Sequence, residues 1–169
     1  FSKLDLIHRW ILHRTSELVR EVDEALENFR FDVASDRLYH FFWHEYADWY
    51  IEFVKPYLQA DGLVRDQAVA VLLEVHDEML RMLHPFMPFV TEEIWQALPK
   101  RFDDSQACKD GRQTITLTRF PTSCTDWHDD DAVSVIGLLQ DVITTVRTVR
   151  SEWGVPPSQM ITAVIEGAD

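Results

Sequence analysis

Glycine and cysteine are scarce in this 169-residue sequence, which contains five glycines and two cysteines. Most of the glycines lie outside the periodic segments, so the sequence favours helices over a turn-rich all-β fold. Cys108 and Cys124 form no CxxC pattern, which predicts free thiols in a reducing cytosol. A signal peptide and an uninterrupted apolar run of roughly 20 residues are also missing, so we expect a soluble, cytoplasmic protein with no membrane partner.

Cationic side chains are few as well. Sixteen Lys and Arg oppose 29 Asp and Glu, and the formal net charge is −13. The first twenty residues are the exception, because four cationic side chains there oppose two acidic ones, which leaves −15 for the rest of the chain. The four are Lys3, Arg9, Arg14 and Arg20. Since phosphate contacts require Lys and Arg, any RNA contact is expected on the first helix.

Apolar residues recur at steps of three and four over most of the chain, which is typical of amphipathic helices. The spacing predicts five helices, over residues 4–29, 32–56, 66–83, 88–98 and 130–153. Asp32 is the expected N-cap of the second helix, and Pro56 is expected to end or kink it. His84-Pro85 ends the third helix and Gly154 the last. These lengths and turns predict an all-α antiparallel bundle of four to five helices.

Two parts of the chain do not fit the helical pattern. Residues 100–131 are predicted to be irregular, with at most a short extended piece at Thr114–Thr118. Met160–Ile165 is predicted to be a short C-terminal β-strand, which requires partner strands from elsewhere. We therefore predict a helical domain over 1–153, followed over 154–169 by the truncated start of a small β-containing segment.

Two stretches of the sequence resemble class I aminoacyl-tRNA synthetases. Phe41–Tyr50 (FFWHEYADWY), followed by Lys55-Pro56, resembles the second helix of the valyl-tRNA synthetase anticodon-binding domain. His84–Trp95 (HPFMPFVTEEIW) resembles a signature shared by the valyl, isoleucyl and leucyl enzymes. Residues 9–12 and 147–152 are similar to the start and the end of the same domain.

The resemblance implies a tRNA-binding module of a valine–tRNA ligase. Such a module positions the anticodon arm of a valine-accepting tRNA for a catalytic domain of the same polypeptide, which uses ATP. The resemblance also assigns a structural role to the motif residues Trp43, Glu45, Asp48, Trp49, His84, Pro85 and Trp95. The alternatives are the equivalent domain of an isoleucyl- or leucyl-tRNA synthetase, and a helical protein-interaction scaffold with an acidic surface.

Catalytic signatures of that family are missing from this sequence. It contains no His-Ile-Gly-His-like motif, no Lys-Met-Ser-Lys-Ser loop and no Gly-rich phosphate loop. This segment is therefore expected to be non-catalytic, without a cofactor or metal of its own and without DNA as a partner. The start of the chain in helix-like sequence, with no initial Met, suggests a piece of a longer polypeptide.

The predicted tRNA contacts lie near the basic end of the chain. They are Arg9, Trp10, His13, Arg14 and Arg20. Guanidinium groups bind phosphates or stack on bases, and aromatic rings stack on unpaired bases. The simpler interpretation of the cationic set is a solvated helix face, and the tryptophans at positions 10, 43, 49 and 95 are more often core residues.

The second helix carries two further candidates. His40, His44 and Asp48 recur every four residues, a spacing that would suit a metal enzyme, although a polar helix face is favoured. Glu45 is predicted to be a buried charge that requires a partner, either an Arg or a Trp N–H group.

Overall fold

Residues 1–99, 113–156, 158–162 and 164 are described by a computed structural model. Every regular element in these ranges is helical, which confirms the all-α prediction. The α-helices are α1 (Leu6–Glu27), α2 (Phe31–His40), α3 (Ile51–Leu58), α4 (Leu63–Leu83), α5 (Pro88–Ala97) and α6 (Asp130–Glu152). A π-helical segment, Phe41–Tyr50, connects α2 to α3, and short 3-10 turns lie at Ile115–Leu117 and Thr125–Trp127.

Helix α1 ends in a tight turn built around Phe29. The Phe29 N–H group donates to the Leu26 carbonyl at 3.0 Å, and the Arg30 N–H group donates to the Ala25 carbonyl at 2.7 Å. This is the Schellman pattern, in which the residue after the helix adopts a left-handed conformation. Glycine usually occupies that position, but here Phe29 does so with φ +55° and an exposed side chain.

The second helical stretch is longer than the sequence predicts. Pro56 lies inside α3 and does not end it, since Gln59 N–H still bonds the carbonyls of Lys55 and Pro56 at 3.3 and 3.2 Å. Proline removes its own N–H group, but the following residues complete the turn. Asp32 is not the N-cap either. It lies in the first turn of α2, where its carboxylate accepts from Arg30 at 3.3 Å and opposes the positive end of the helix dipole.

The core of the first unit forms where α1 packs against α2 and α4. Large side chains that are almost fully buried there are Ile11, Val22, Tyr50, Val54, Val75, Met79 and Met82. Each apolar side chain of this size stabilises the fold by roughly 1.5–3 kcal/mol when it leaves water. The π-helical segment adds Phe41 and Tyr46 to the same interior.

The chain divides into two compact units, Phe1–Asp129 and Asp130–Asp169. In the second unit, α6 begins at Asp130, so that Asp130 and Asp131 lie in its first turn. It ends in a second Schellman turn, in which Gly154 has φ +63° and Val155 N–H donates to the Arg150 carbonyl at 2.9 Å. The helix-stop role predicted for Gly154 is therefore confirmed.

Two segments that the sequence predicts to be extended form no β-strand where the structure describes them. Met160–Thr162 and Val164 form no strand, so the predicted C-terminal strand is wrong for these residues, while residues 163 and 165 lie outside the described residues. A strand requires a partner for its backbone groups, and the described part of the chain supplies none. A 3-10 turn at Ile115–Leu117 interrupts the predicted extended piece between the extended residues Thr114 and Thr118, and the Thr114 hydroxyl accepts from Thr116 N–H at its start.

Helix α6 is the one element, among the residues described, that is long and apolar enough to cross a membrane by length and composition. Its mean hydropathy reaches 1.4 over 18 residues. Asp141 and Arg147 interrupt its apolar sequence. Core helices of soluble proteins have the same length and composition, so these two properties do not make α6 a membrane span.

Candidate nucleic-acid interface

Arg9 is engaged by the polypeptide itself. Its guanidinium group forms an ion pair with Asp129, and both side chains are largely shielded from water. His13, one turn further along α1, accepts a hydrogen bond on Nδ1 from the backbone N–H group of Asp129 at 2.7 Å. Asp129, two positions after the second 3-10 turn, is thus held to α1 at two points.

A third contact extends this attachment. The Ser16 hydroxyl donates to the Cys124 carbonyl at 3.1 Å, and Cys124 N–H donates to the Ser16 oxygen at 2.8 Å. We call the segment 124–129 the α1 strap. Together with α1 it borders a cavity of about 460 Å³, which is lined by His13, Ser16, Glu17, Arg20, Ser123, Cys124, Thr125 and His128.

Arg14 is also paired, and more tightly. Its Nε and Nη2 donate to the two carboxylate oxygens of Glu45 at 2.6 and 2.9 Å, and Nη1 donates to Glu17. The hydrogen bond to Glu45 raises the pKa of Arg14 above its ordinary range, although partial burial opposes the shift. Glu45 therefore has the arginine partner that its predicted burial requires. A phosphate can bind Arg14 only in competition with two carboxylates.

Trp10 and His13 are buried, with side chains only 3% exposed. Trp10 packs edge-on against Phe53, with ring centroids 6.4 Å apart. The His13 ring lies between the α1 strap and Glu17, whose carboxylate is 3.2 Å from Nε2. Stacking of either ring on a base would require this packing to open.

Arg20 is the most exposed of the five predicted contacts. Its side chain is 58% exposed, and Glu24 is 3.7 Å from Nη1. It lines an open cleft of about 570 Å³ together with Arg30 and Arg37. We call these three residues the arginine cleft. The other side chains that line it are Glu21, Glu24, Ala25, Asn28 and Val33.

Each arginine of this cleft has an exposed and loosely held partner. Arg30 pairs with Asp32 at 3.3 Å, and Arg37 pairs with Glu21 at 3.4 Å. Exposed ion pairs contribute about 0–1 kcal/mol, so a phosphate can replace the carboxylate at little cost. The guanidinium groups of Arg20, Arg30 and Arg37 are therefore more accessible to an RNA backbone than those of Arg9 and Arg14.

Sequence reasoning missed Arg30 and Arg37, because it confined the search to the basic first twenty residues. A signal for them existed. The two are seven residues apart at the start of the second helix, and two helical turns place them on one face. Their proximity to Arg20 is a tertiary relationship that spacing alone does not reveal.

The signature over 84–95 builds a local framework. Trp95 Nε1 donates to Asp77 at 2.7 Å, and the same carboxylate pairs with Arg81, also at 2.7 Å. The ring of His84 bridges the hydroxyls of Thr91 and Thr116, at 2.8 and 3.0 Å. Pro85 lies exposed in the turn between α4 and α5.

Glu92 completes this framework. Its carboxylate accepts from the Thr114 hydroxyl at 2.7 Å, from Ile115 N–H at 3.1 Å and from Gln96 at 2.6 Å. Ile115 is thereby held against Leu80 and Trp95 in a small apolar cluster. The signature residues consequently join α4, α5 and the first 3-10 turn, which is a structural role.

The tryptophans of the π-helical segment are less buried than expected for core residues. Trp43 is exposed, which makes the core interpretation wrong for this residue, while Trp49 is half-buried against Phe53. Asp48 is exposed and lies 3.4 Å from His44. Within the described residues, no cluster of three potential metal ligands includes His40, His44 or Asp48.

Comparison with known proteins adds independent information. The family model described as the anticodon-binding domain of tRNA ligase matches residues 8–165. The valine–tRNA ligase of Thermotoga maritima is 38% identical over 98% of this chain. Those of Desulfotalea psychrophila and Syntrophotalea carbinolica are 40% and 41% identical over 96% and 97%. The chain spans only 17–18% of the length of these three relatives.

Proposed function

Because the chain belongs to the anticodon-binding domain family of tRNA ligases, we propose that it holds the anticodon arm of a valine-accepting tRNA within a valine–tRNA ligase. The observation that carries this proposal is the extent of the similarity. The family model spans residues 8–165, and relatives named valine–tRNA ligase match nearly the whole chain. Those names favour valine over isoleucine or leucine.

The arginine cleft is the proposed first site of contact. Arg20, Arg30 and Arg37 present exposed guanidinium groups around one open hollow. Phosphate contacts of this kind fix the position of an RNA without reading its sequence. Arg9 and Arg14 remain proposed contacts at a second stage, in which phosphates replace Asp129 and Glu45. Trp10 and His13 would then support the surface from below.

The rest of the parent polypeptide supplies the chemistry in this proposal. A catalytic domain would bind ATP and valine, while this segment positions the tRNA and forms no bond itself. We place the parent enzyme in the cytoplasm, with α6 packed inside protein and with no DNA partner. The boundary at residues 153/154 and the antiparallel order of the bundle are part of the same proposal.

A titration with RNA stem-loops tests this function. The 169-residue chain is mixed with a fluorescent anticodon arm of valine tRNA and, separately, with the isoleucine and leucine arms. Preferential binding of the valine arm, weakened steeply by added salt, is expected. Preferential binding of the isoleucine or leucine arm would mean that the domain belongs to the corresponding ligase instead. Absence of binding to all three arms at low salt would contradict the proposal.

A further inference from the structure

An apolar groove lies between α2 and the turn that follows α4. Its volume is about 410 Å³, and it is lined by Ser35, Leu38, Tyr39, Phe42, Trp43, Leu83, Phe86 and Met87. None of these lining residues, all within the described part of the chain, is charged. Tyr39, Trp43 and Met87 are each about half exposed, at 57%, 48% and 47%. Water therefore contacts a surface that has the composition of a protein core.

The groove follows one face of α2. Leu38, Tyr39 and Phe42 recur at the spacing that places residues on the same side of a helix, and Ser35 lies one turn before Tyr39. Phe31, a further turn back, extends this face and is exposed as well. An apolar face with this spacing suits an amphipathic helix that inserts side chains at three- and four-residue steps.

The rim of the groove is acidic. Asp32 and Asp36 lie next to Phe31 and Ser35 on α2, and their side chains are exposed. Arg30 pairs with Asp32, and His40 lies 3.5 Å from Asp36. None of the residues that line the groove is cationic, and Arg30, which pairs with Asp32 on the rim, lines the arginine cleft and not this groove. A protein segment with Lys or Arg beside its apolar face is complementary to this surface.

We infer that the groove receives an amphipathic helix from the catalytic part of the same polypeptide. Its apolar face would enter between Tyr39 and Met87, and its basic flank would face Asp32 and Asp36. The relatives are more than five times as long as this chain, so a protein of their length has ample sequence to supply such a helix. This inference rests on the proposed function in one respect, namely that the chain is part of a ligase.

Site-specific photo-crosslinking in the full-length parent protein tests the docking. A benzophenone amino acid replaces Tyr39 in one variant and Met87 in another. Leu63, an exposed apolar residue at the opposite end of α4, is replaced in a matched control. After irradiation without tRNA, peptide mapping should show Tyr39 and Met87 linked to one common segment outside residues 1–169. The control should not reach that segment.

A charge reversal sharpens the test. The double change Asp32→Lys and Asp36→Lys, added to the Tyr39 variant, should lower the yield of that cross-link. Cross-links to a second copy, or only within the present chain, would overturn the inference, as would the absence of any cross-link. The full-length Tyr39 variant without the charge reversal is titrated separately with the valine anticodon arm. If the arm binds but the cross-link is missing, only the docking inference is overturned. If the cross-link forms but the arm does not bind, only the proposed RNA function is overturned.

Discussion

Arg14 and Glu45 join α1 to the π-helical segment through two parallel hydrogen bonds of 2.6 and 2.9 Å. The two residues are 31 positions apart, and both side chains are partly shielded from water. This two-point geometry is the strongest form of an arginine–carboxylate contact, and it fixes both the distance and the orientation of the two helical segments.

Removal of one partner of this pair should destabilise the fold. Arg14→Ala leaves the Glu45 carboxylate partly buried without its cation, and we expect the free energy of unfolding to fall by about 1–2 kcal/mol, less than for a fully buried pair. Urea denaturation measures this change. Arg20→Ala, which breaks an exposed pair, is the control and should cost about 0.5 kcal/mol or less. Equal losses would mean that the Arg14–Glu45 pair has no special strength.

The arginine cleft should determine the electrostatic part of RNA binding. Arg20→Glu combined with Arg37→Glu is expected to weaken binding of the valine anticodon arm and to reduce the slope of log affinity against log salt by about 1–2. Fluorescence anisotropy at several salt concentrations gives both quantities. Lys55→Glu with Arg65→Glu makes the same change in net charge at exposed positions elsewhere. If both double substitutions weaken binding equally, the effect comes from net charge and not from the arginine cleft.

The left-handed backbone at Phe29 predicts a stabilising substitution. A left-handed conformation costs an L-residue roughly 1–2 kcal/mol, whereas the extra chain entropy of glycine costs about 0.5–1 kcal/mol. Phe29→Gly should therefore raise the free energy of unfolding by about 0.5–1 kcal/mol, visible as a higher Tm. Phe29→Ala retains a Cβ and should bring no such gain. The Phe29 ring packs edge-on against Phe31, with ring centroids 6.4 Å apart, so destabilisation by glycine would show that this contact outweighs the backbone strain.

Glu78 predicts a pH-dependent stability. Burial, reinforced by Glu74, raises the pKa of Glu78 to about 7 although Arg81 acts in the opposite direction. The folded protein therefore keeps this proton between about pH 4.5 and 7, where the unfolded chain loses it, and the free energy of unfolding falls as the pH rises through this window.

Glu78→Gln should remove that dependence. The variant is expected to be more stable than the original chain by about 1–2 kcal/mol at pH 8, with a smaller difference at pH 5. Urea denaturation at the two pH values tests this, and Glu93→Gln on the exposed side of α5 is the matched control. A gain that is the same at both pH values would refute the assignment to Glu78 ionisation.

Local signals in the sequence predicted the helices well. Apolar spacing located α1 and α4, and α4 ends next to His84-Pro85 as predicted. The predicted reason is wrong, because His84 keeps a right-handed helical backbone (φ −56°, ψ −40°); Pro85 instead lacks the N–H group that would continue the helical hydrogen bonds. The conformation of Phe29 was not predictable in the same way, since the asparagine at the end of α1 is Asn28, one position before the residue that adopts the left-handed conformation. Pro56 predicted the end of a helix where the structure has none, because a helix can lose one hydrogen bond and continue.

The candidate site was less predictable, because its electrostatics depend on distant residues. Asp129 follows Arg9 by 120 positions, and Glu45 follows Arg14 by 31. No local pattern reveals that these carboxylates occupy the guanidinium groups first proposed for RNA. The π-helical segment adds a second difficulty, since its wider turns depart from the 3.6-residue period on which the core interpretation of Trp43 depended.

The α1 strap has a consequence for the order in which the protein folds. Its contacts with Arg9, His13 and Ser16 span 108–120 residues of sequence, so during synthesis α1 leaves the ribosome long before its partners exist. Contacts of such long range form late, because the entropy of closing the intervening loop opposes them. We expect this side of α1 to stay exposed to solvent until translation has passed Asp129. A nascent chain that stops before that point should therefore be bound readily by chaperones.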